Sequence, residues 1–397
     1  MTAHPSGVTP DQRPASPEHS TRAGILDALA AALAMAVAMG FGRFAYTAIY
    51  PLMIDDGWLG IADGSLVASA NYAGYLAGAL GMTRVTAASA ARLARLGLLG
   101  CVLLLAAMAV PQPVFGLAVV RFLAGVASAM VLISSSVWLI QAKGFSAGTP
   151  LMFAGVGTGI AISAELVFGV SALDFGSLEA WLVVTAAGLL MTAFSWLRMT
   201  PPDHAAAGPR PGPAAPGDRL GPVVLIVAYG VAGFGYIITA TYLPIIAKGA
   251  LGGIDPLHLW TAFGLGAVPS CFFWHALHRA WGTRKTLAVN LATQVVGVAL
   301  PALTRDPLAL LASALMVGGS FIGTVTIVML AARAVAQGVK INMLAAVTAS
   351  YGVGQIIGPL VAAALFSRTQ SFDEPLLAAA AALALGTVLC LVAPRRS

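Results

Sequence analysis

The feature that most constrains this chain is a succession of apolar stretches separated by short polar breaks. A run of about 20 apolar residues is long enough to cross a bilayer as a helix. Only 9% of the residues are charged, against about 25% in soluble proteins. The stretches lack the alternation of barrel strands, and only helices and closed barrels satisfy their backbone in lipid. The sequence therefore predicts an all-α integral membrane protein.

The stretches predict twelve transmembrane helices. Their approximate bounds are residues 23–50, 64–83, 92–110, 113–141, 148–171, 179–198, 221–247, 256–278, 284–303, 307–332, 341–366 and 374–393. The shortest break is Pro111-Gln112-Pro113, where two prolines around a polar residue predict a tight turn.

The lysines and arginines test this topology. Of 21, we place three on one side (Lys248, Arg305 and Arg368), and two, Arg43 and Arg121, lie inside spans. The other sixteen fall on the opposite side: Arg13, Arg22, Arg84, Arg92, Arg95, Lys143, Arg198, Arg210, Arg219, Arg279, Arg284, Lys285, Arg333, Lys340, Arg395 and Arg396. Because excess Lys and Arg marks the cytoplasmic face, we expect both termini in the cytoplasm of a bacterium. The net charge of +6 then reflects topology and not nucleic-acid binding.

Polar segments divide the chain. Residues 1–21 are rich in Pro, Ser, Thr and His and predict a disordered cytoplasmic tail. Residues 199–220 form a Pro-, Gly- and Ala-rich cytoplasmic linker. We therefore expect an N-terminal six-helix bundle over 22–198, a C-terminal one over 221–393 and a short tail over 394–397. The two bundles are expected to be pseudo-symmetric.

Two internal echoes support that symmetry. "GFGRFAYTAIYP" at 40–51 matches "GFGYIITATYLP" at 233–244 at an offset of 193, and each string closes a predicted span. Gly155-Val156-Gly157 in the fifth span is echoed by Gly352-Val353-Gly354 in the eleventh. Internal symmetry between halves is typical of transporters, whose substrate site lies between the halves near the midplane.

Four strings also carry a resemblance to a known family. They are "GFGRFAYT" at 40–47, "ANYAGYLAGAL" at 70–80, "WTAFGLGAVPSC" at 260–271 and "YGVGQIIGPL" at 351–360. With them the chain resembles a major facilitator superfamily transporter, and more narrowly the YbfB/YjiJ-type family of bacterial members. The resemblance implies a two-bundle fold, alternating access and a functional monomer, and it implies no particular substrate.

Superfamily motifs match unevenly. The string "RFLAG" at 121–125 resembles the arginine-then-glycine motif linked to proton coupling. The loop at 78–83 keeps the glycine and leucine of G-x-L-x-D-R-x-G-R-R but lacks its acid and base. The antiporter glycine-proline motif is missing from the fifth span, and a similar Gly358-Pro359 pair stands in the eleventh.

Four polar side chains stand inside spans of the N-terminal half. Counted at 1.5 Å per residue, Arg43, Asn71, Arg121 and Glu165 lie roughly 9–12 Å from the outer ends of four predicted helices. We expect them to converge at one level, outside the midplane towards the periplasm. A charge inside a membrane normally faces a partner or a watery cavity.

Two interpretations of this group stay open. Arg43, Arg121 and Glu165 form a buried ion-pair network that locks the bundle, or they form a binding and coupling site. In the second case the net positive charge suits a substrate carboxylate or phosphate, and Glu165 carries a transported proton. Tyr46, Tyr236 and Gln355 are further candidates for the cavity, with interhelical hydrogen bonding as the alternative role.

The glycines inside spans predict close helix packing or gating and not a nucleotide loop, because no strand precedes them. Those singled out are Gly40, Gly42, Gly125, Gly155, Gly157, Gly352, Gly354 and Gly358, together with Pro359. Cys101, Cys271 and Cys390 are expected to be buried apolar residues. No third ligand accompanies His275 and His278, so no metal or cofactor is expected.

The leading function is a secondary transporter of a small organic solute, driven by protons and suited to an organic anion. The alternative is proton-driven export of drugs or metabolites through a permissive apolar cavity, with Arg43 structural. A membrane enzyme lacks a nucleophile–base pair, and a transporter-like sensor lacks a sizeable soluble segment. The expected partners are a small-molecule substrate, the proton and the lipid bilayer.

Overall fold

The computed structural model describes residues 17–201, 220–248, 250–252, 255–336 and 342–393, with side chains from residue 22 onwards. Every regular element in these ranges is a helix. The helices are α1 (Pro17–Met35), α2 (Ala45–Asp55), α3 (Ile61–Gly81), α4 (Ala87–Met108), α5 (Val114–Val137), α6 (Thr149–Ser171), α7 (Ser177–Arg198), α8 (Pro222–Ala247), α9 (Leu257–Leu303), α10 (Pro307–Val335), α11 (Met343–Thr369) and α12 (Asp373–Val392). A π-helix, Ala36–Phe44, joins α1 to α2, and a second, Trp138–Ala142, follows α5.

Ten helices of the described ranges are long and apolar enough to cross a membrane. One of them is the continuous rod from α1 to α2, and α3 is not among the ten. The 47 residues of α9 are interrupted at Gly282 (φ 76°, ψ 177°), a left-handed conformation that glycine adopts without strain. Two helices therefore meet at Gly282. The protein is a multi-pass membrane protein, and the count of twelve crossings stays a prediction.

One predicted helix end is wrong. Pro51 lies inside α2, which continues beyond the predicted end at residue 50 to Asp55. Pro244 lies inside α8, which ends at Ala247 as predicted. A proline removes one backbone donor, but membrane helices tolerate the loss where a neighbouring group satisfies the freed carbonyl. The predicted tight turn at Pro111–Pro113 does separate α4 from α5.

Helix ends gather at two faces of the molecule. We call one face the Asp55 end. It holds the connections after α2, α6, α8 and α11, and there Asp56 accepts hydrogen bonds from the backbone and hydroxyl of Ser177. At the opposite end the ion pair of Arg198 with Asp27 joins α7 to α1 at 2.7 Å. Asp27 is largely buried there.

Helices pack against each other both within each half of the chain and between the two halves. We call residues 22–198 the N-terminal segment and residues 220–393 the C-terminal segment. Within them, α3 and α4 pack on α5, and α9 packs on α10 and α12. Across them, α3 packs along α11 and α6 along α9. Small residues permit the second contact, because a Cβ at Gly157 would lie 2.4 Å from the carbonyl oxygen of Gly264.

Some predictions fall outside the described ranges. They concern most of the tail at 1–21, nearly all of the linker at 199–220, the end at 394–397, and the charges of Arg13, Arg210, Arg219, Lys340, Arg395 and Arg396. Helix α1 begins at Pro17, so the predicted disordered tail is too long by several residues. The three cysteines are buried and free, as predicted.

Candidate functional site

Arg43 lies in the π-helix that interrupts the first transmembrane rod. All residues of Ala36–Phe44 are buried. π-helical turns are rare in proteins, and those that do occur are often found at functional sites. Gly40 allows this unusual backbone to pack tightly, since a Cβ there would lie 2.5 Å from backbone atoms of Gly159 on α6. The sequence therefore places the buried arginine on an irregular, closely packed piece of backbone.

Arg43 lies deeper than the sequence analysis predicts. Because the helix continues to Asp55, Arg43 is about 18 Å from that end at 1.5 Å per residue, or about half of a 30 Å hydrocarbon core. Glu165 is only about 9 Å from the last residue of α6. The prediction of one shared level is therefore wrong for these two residues.

Arg121 holds the backbone that carries Arg43. Its Nη1 donates to the carbonyl of Gly42 and its Nη2 to the carbonyl of Arg43, each at 2.8 Å. Ser128, also on α5, donates to the carbonyl of Ala38 at 2.7 Å. Helix α5 thus satisfies carbonyl groups at both ends of the π-helix. Arg121 is a positioning residue for Arg43.

Asn71 and Tyr46 complete the support around Arg121. The Asn71 amide donates to the carbonyl of Arg121 at 2.9 Å. The ring centroid of Tyr46 lies 4.8 Å from the guanidinium carbon of Arg121, and the Tyr46 hydroxyl donates to the carbonyl of Gly64 at 3.0 Å. The structure therefore brings four of the predicted residues together, with three of them supporting Arg43.

The Arg43 guanidinium is buried among aromatic rings. The side chain is 2% exposed, and its guanidinium carbon lies 4.2, 5.0 and 5.4 Å from the ring centroids of Tyr75, Tyr72 and Phe44. Its Nε and Nη2 atoms have no hydrogen-bond acceptor, and no ion pair is formed by Arg43 within the described part of the chain. Cation–π contacts stabilise the charge but leave these donors unused. The group is suited to an anion.

A wall of aromatic rings from the C-terminal segment lies beyond Arg43. Six buried rings stack in succession with neighbouring centroids 4.2–5.8 Å apart: Tyr229, Tyr351, Tyr236, Phe321, Phe263 and Trp260. Phe44 contacts Phe321 and Trp260 edge-on. Because the Phe44 ring lies 5.4 Å from the Arg43 guanidinium carbon, it connects these rings to the arginine. We call this surface the aromatic wall.

Tyr236 and Gln355 lie together in this wall. Tyr236 occupies the position of Arg43 in the second repeat, 193 residues on. The Gln355 Nε2 atom donates to the Tyr236 hydroxyl at 2.5 Å, and the buried Gln355 Oε1 atom has no partner among the residues that the structure describes. The site therefore has a cation on the N-terminal side and neutral polar groups on the C-terminal side.

Glu165 belongs to a different contact. Its Oε1 atom accepts from the Thr261 hydroxyl at 2.5 Å and pairs with the His258 Nδ1 atom at 3.0 Å. The two side chains of the ion pair are 45% and 40% exposed. Among the described residues, no ion pair joins Glu165 to either buried arginine. The predicted three-residue network is therefore not formed, and Glu165 instead joins α6 to α9 near the Asp55 end.

Further polar contacts join the segments between the Asp55 end and mid-depth. They are Lys248 with Asp55 at 2.8 Å, Thr47 with the Ala240 carbonyl at 2.7 Å, Ser65 with Tyr242 at 2.5 Å, Tyr72 with Thr241 at 3.2 Å, and Ser69 with the Ile356 carbonyl at 2.9 Å. At the opposite end, contacts such as Arg198 with Asp27 lie within one segment. The segments are thus closed against each other at the Asp55 end.

The glycines singled out in the sequence lie at close contacts. A Cβ would come within 2.0–2.5 Å of neighbouring backbone at Gly40, Gly125, Gly155, Gly157 and Gly354. At Gly42, Gly352 and Gly358 the nearest atoms belong to side chains, at 3.2, 3.1 and 2.4 Å. The carbonyl of Pro359 accepts a hydrogen bond from Tyr242 at 3.2 Å. Most of these positions therefore require a small residue for packing.

Sequence reasoning missed the partners of Glu165 and the Asp55–Lys248 pair. A signal for the second was available, because these residues are separated by 193 positions, the offset of the repeat. No such signal marks His258 or Thr261. Their contact with Glu165 follows only from the packing of α6 on α9.

The long apolar helices, the internal repeat and the buried cation between two segments define a polytopic membrane transport protein. A family model described as "Uncharacterised MFS-type transporter YbfB" matches residues 35–391, and the chain belongs to this family. Membership makes it a transporter of the major facilitator type. A search of curated proteins found no match.

Proposed function

We propose that this protein is a proton-coupled secondary transporter that moves a small organic anion across the bacterial inner membrane by alternating access. The observation that carries the proposal is Arg43. A buried charge is costly unless it is paired. Among the described residues, the Arg43 Nε and Nη2 atoms have no acceptor, and three ring centroids lie within 5.4 Å of the guanidinium carbon. A carboxylate from the substrate would supply the missing acceptors in bidentate geometry.

The contacts between segments support alternating access. The Lys/Arg count assigns the Asp55 end to the periplasm, under the predicted topology of twelve crossings in two bundles. The polar contacts at that end then close the site towards the periplasm. Two of them, Lys248 with Asp55 and His258 with Glu165, are partly exposed, so each of these two pairs adds only modest stability to the closed state.

Glu165 is the proposed coupling acid. Protonation of its carboxylate would remove the negative charge that attracts a protonated His258 and would weaken one contact between the segments. Proton binding from the periplasm would then favour opening at the Asp55 end. This route uses His258 and Thr261 and not the arginines that the sequence analysis paired with Glu165.

Anion binding tests the substrate site. Purified protein is titrated with benzoate and with aliphatic monocarboxylates, and ligand binding is followed by thermal unfolding and calorimetry. Binding should disappear in Arg43→Ala and weaken at least tenfold in Arg43→Lys, because lysine lacks the planar fork. Arg84→Ala, at an exposed arginine, is the control and should bind like the wild type. Carboxylate binding that survives Arg43→Ala would overturn the proposed site.

Coupling of transport to protons is tested in proteoliposomes. The substrate is a carboxylic acid that binds the purified protein in the titrations above. Glu165→Gln should abolish accumulation driven by a proton gradient and spare counterflow exchange. Glu374→Gln, an exposed glutamate near the same end, is the matched control and should retain both activities. Accumulation that persists in Glu165→Gln would assign coupling to another group.

Export of apolar compounds is the second candidate function, and the aromatic wall is the observation that favours it. In that case Arg43 serves structure alone. Lipophilic amines would then stabilise wild type and Arg43→Ala equally, and the carboxylates would stabilise neither.

A further inference from the structure

Gln355 is a second polar group in the site with an unmet hydrogen bond. The side chain is 1% exposed, and one atom of its amide bonds to the Tyr236 hydroxyl at 2.5 Å while the other has no partner. Pro359, four residues on, has no N–H to donate to the Gln355 carbonyl. A buried amide atom without a partner is expensive, so a bound molecule is expected to supply one.

Gln355 and Arg43 belong to one site. Phe321 contacts both the Tyr236 ring, at 5.3 Å, and the Phe44 ring, at 6.0 Å. Phe44 in turn lies 5.4 Å from the Arg43 guanidinium carbon. The Tyr236 phenol, to which Gln355 is bonded, is also within the electrostatic reach of the Arg43 charge. The cation and the amide are therefore connected through the rings of Phe44, Phe321 and Tyr236.

The group that fits Gln355 is a hydroxyl. The two ends of a glutamine amide are assigned from the hydrogen-bond network, and the free end is either an acceptor or a donor. A hydroxyl both donates and accepts, so it satisfies the amide in either orientation. The groups that connect the two polar side chains are aromatic rings, and an apolar aromatic body in the ligand would suit such surroundings.

We propose that Gln355 is a specificity-determining residue that selects a hydroxylated aromatic carboxylate over the acid without the hydroxyl. The inference rests on the proposed anion site at Arg43 and adds the identity of the substrate class. The carboxylate contacts the Arg43 guanidinium, the ring lies against the aromatic wall, and the hydroxyl bonds to the Gln355 amide.

The experiment compares benzoate, 3-hydroxybenzoate, 4-hydroxybenzoate and cyclohexanecarboxylate by calorimetry on the full-length protein. At least one hydroxybenzoate should bind wild type about tenfold more tightly than benzoate, the range for relieving one buried unsatisfied group. In Gln355→Leu that advantage should vanish while benzoate affinity changes less than about twofold. Benzoate binding thus reports that the variant is folded. Gln141→Leu, at an exposed glutamine, should behave as wild type.

Each of the other outcomes contradicts a specific part of the proposal. Equal binding of benzoate and both hydroxybenzoates by wild type, or a tenfold advantage retained in Gln355→Leu, removes the role of Gln355. Loss of benzoate binding in folded Gln355→Leu, and in the isosteric Gln355→Met, also contradicts it. Cyclohexanecarboxylate binding as tightly as benzoate removes the aromatic requirement. Failure of all four acids to bind wild type would instead overturn the proposed anion site.

Discussion

Asp55 and Lys248 form an ion pair at 2.8 Å, and they are 193 positions apart, the offset that relates the two repeats. Thr47 and Ala240, joined by a hydrogen bond at 2.7 Å, have the same separation. In a two-fold arrangement, equivalent positions meet only at the axis. Both contacts thus place the junction of α2 and α8 on the pseudo-symmetry axis expected for inverted or repeated transporter halves.

The first prediction concerns the Asp55–Lys248 pair as a latch. Asp55→Lys and Lys248→Asp should each favour opening at that end by up to about fivefold, the effect of an ion pair worth about 1 kcal/mol at partly exposed sites. The swapped double variant should restore the wild-type equilibrium. The measurement is maleimide labelling of a cysteine introduced at Ser69, which is buried between α3 and α11.

The native cysteines are buried and should not interfere with that measurement. If the double variant labels as fast as the single ones, the pair does not act as a latch. High salt should mimic the single variants in the wild type, because exposed ion pairs are screened.

The second prediction concerns the carbonyl of Ala240. Pro244 cannot donate to it, and the Thr47 hydroxyl takes the place of the missing N–H. Thr47→Val should lower the free energy of unfolding by about 1–2 kcal/mol, because it leaves a buried acceptor without a partner. Thr47→Ser should be close to wild type. Thermal unfolding in detergent measures the difference.

A double-mutant cycle isolates this contact. Pro244→Ala returns a backbone N–H to the helix, so the cost of Thr47→Val should shrink in that background. Additive effects of Thr47→Val and Pro244→Ala would show that the hydroxyl and the proline act independently.

The third prediction separates the two buried arginines. Arg121→Met should destabilise the protein by about 2–4 kcal/mol, because two carbonyl groups of the π-helix lose charge-assisted hydrogen bonds. Arg43→Met should leave stability unchanged or raise it by about 1–2 kcal/mol, because it removes an uncompensated buried charge. Only Arg43→Met should abolish anion binding without loss of stability.

Unfolding midpoints without ligand, measured beside carboxylate titrations, check this contrast. Equal destabilisation by the two substitutions would mean that Arg43 is a structural residue like Arg121. By contrast, a rise in stability together with loss of anion binding in Arg43→Met is expected if Arg43 is a binding group whose hydrogen bonds are unsatisfied when no ligand is bound.

The fourth prediction compares two glycines on α6. A Cβ at Gly155 would lie 2.0 Å from the Ala32 carbonyl oxygen, whereas a Cβ at Gly169 would meet nothing within 4 Å. Gly155→Ala should therefore push α6 from α1 and lower stability by about 1–3 kcal/mol. Gly169→Ala should be neutral or slightly stabilising, since alanine has the higher helix propensity. A similar unfolding midpoint for both variants would contradict the close packing of α6 on α1.

Much of the fold was predictable from residue patterns alone. Apolar stretches report membrane helices because lipid imposes one requirement on every backbone group, regardless of the neighbours. The family assignment and the membrane class follow from such local strings and are shown by the match over 35–391. The end of α2 was misplaced, because proline usually ends helices in water and Pro51 lies inside this helix.

The site was predictable only in part. Charged and amide side chains inside apolar membrane helices have to face the interior of the protein. The burial of Arg43 beside Arg121 and Asn71 could therefore be predicted. The partner of Glu165 was not predictable, because it depends on which face of α6 meets α9 and at what height. The sequence places Arg43 about 10 Å from the outer end of its helix, whereas the structure places it about 18 Å from that end. This difference was enough to suggest Glu165 as a partner of the arginines.

The sequence by itself determined that this chain is a helical membrane protein, that its halves are related by a repeat, and that charged groups lie within its spans. Composition, the length of the apolar stretches and a comparison of the two halves suffice for these properties, because none of them depends on which helices contact each other. Only the tertiary structure decided that Arg121 serves the π-helix, that Arg43 keeps unused donors, and that Glu165 faces His258. Those roles depend on side-chain distances between helices far apart in sequence, which local patterns do not specify.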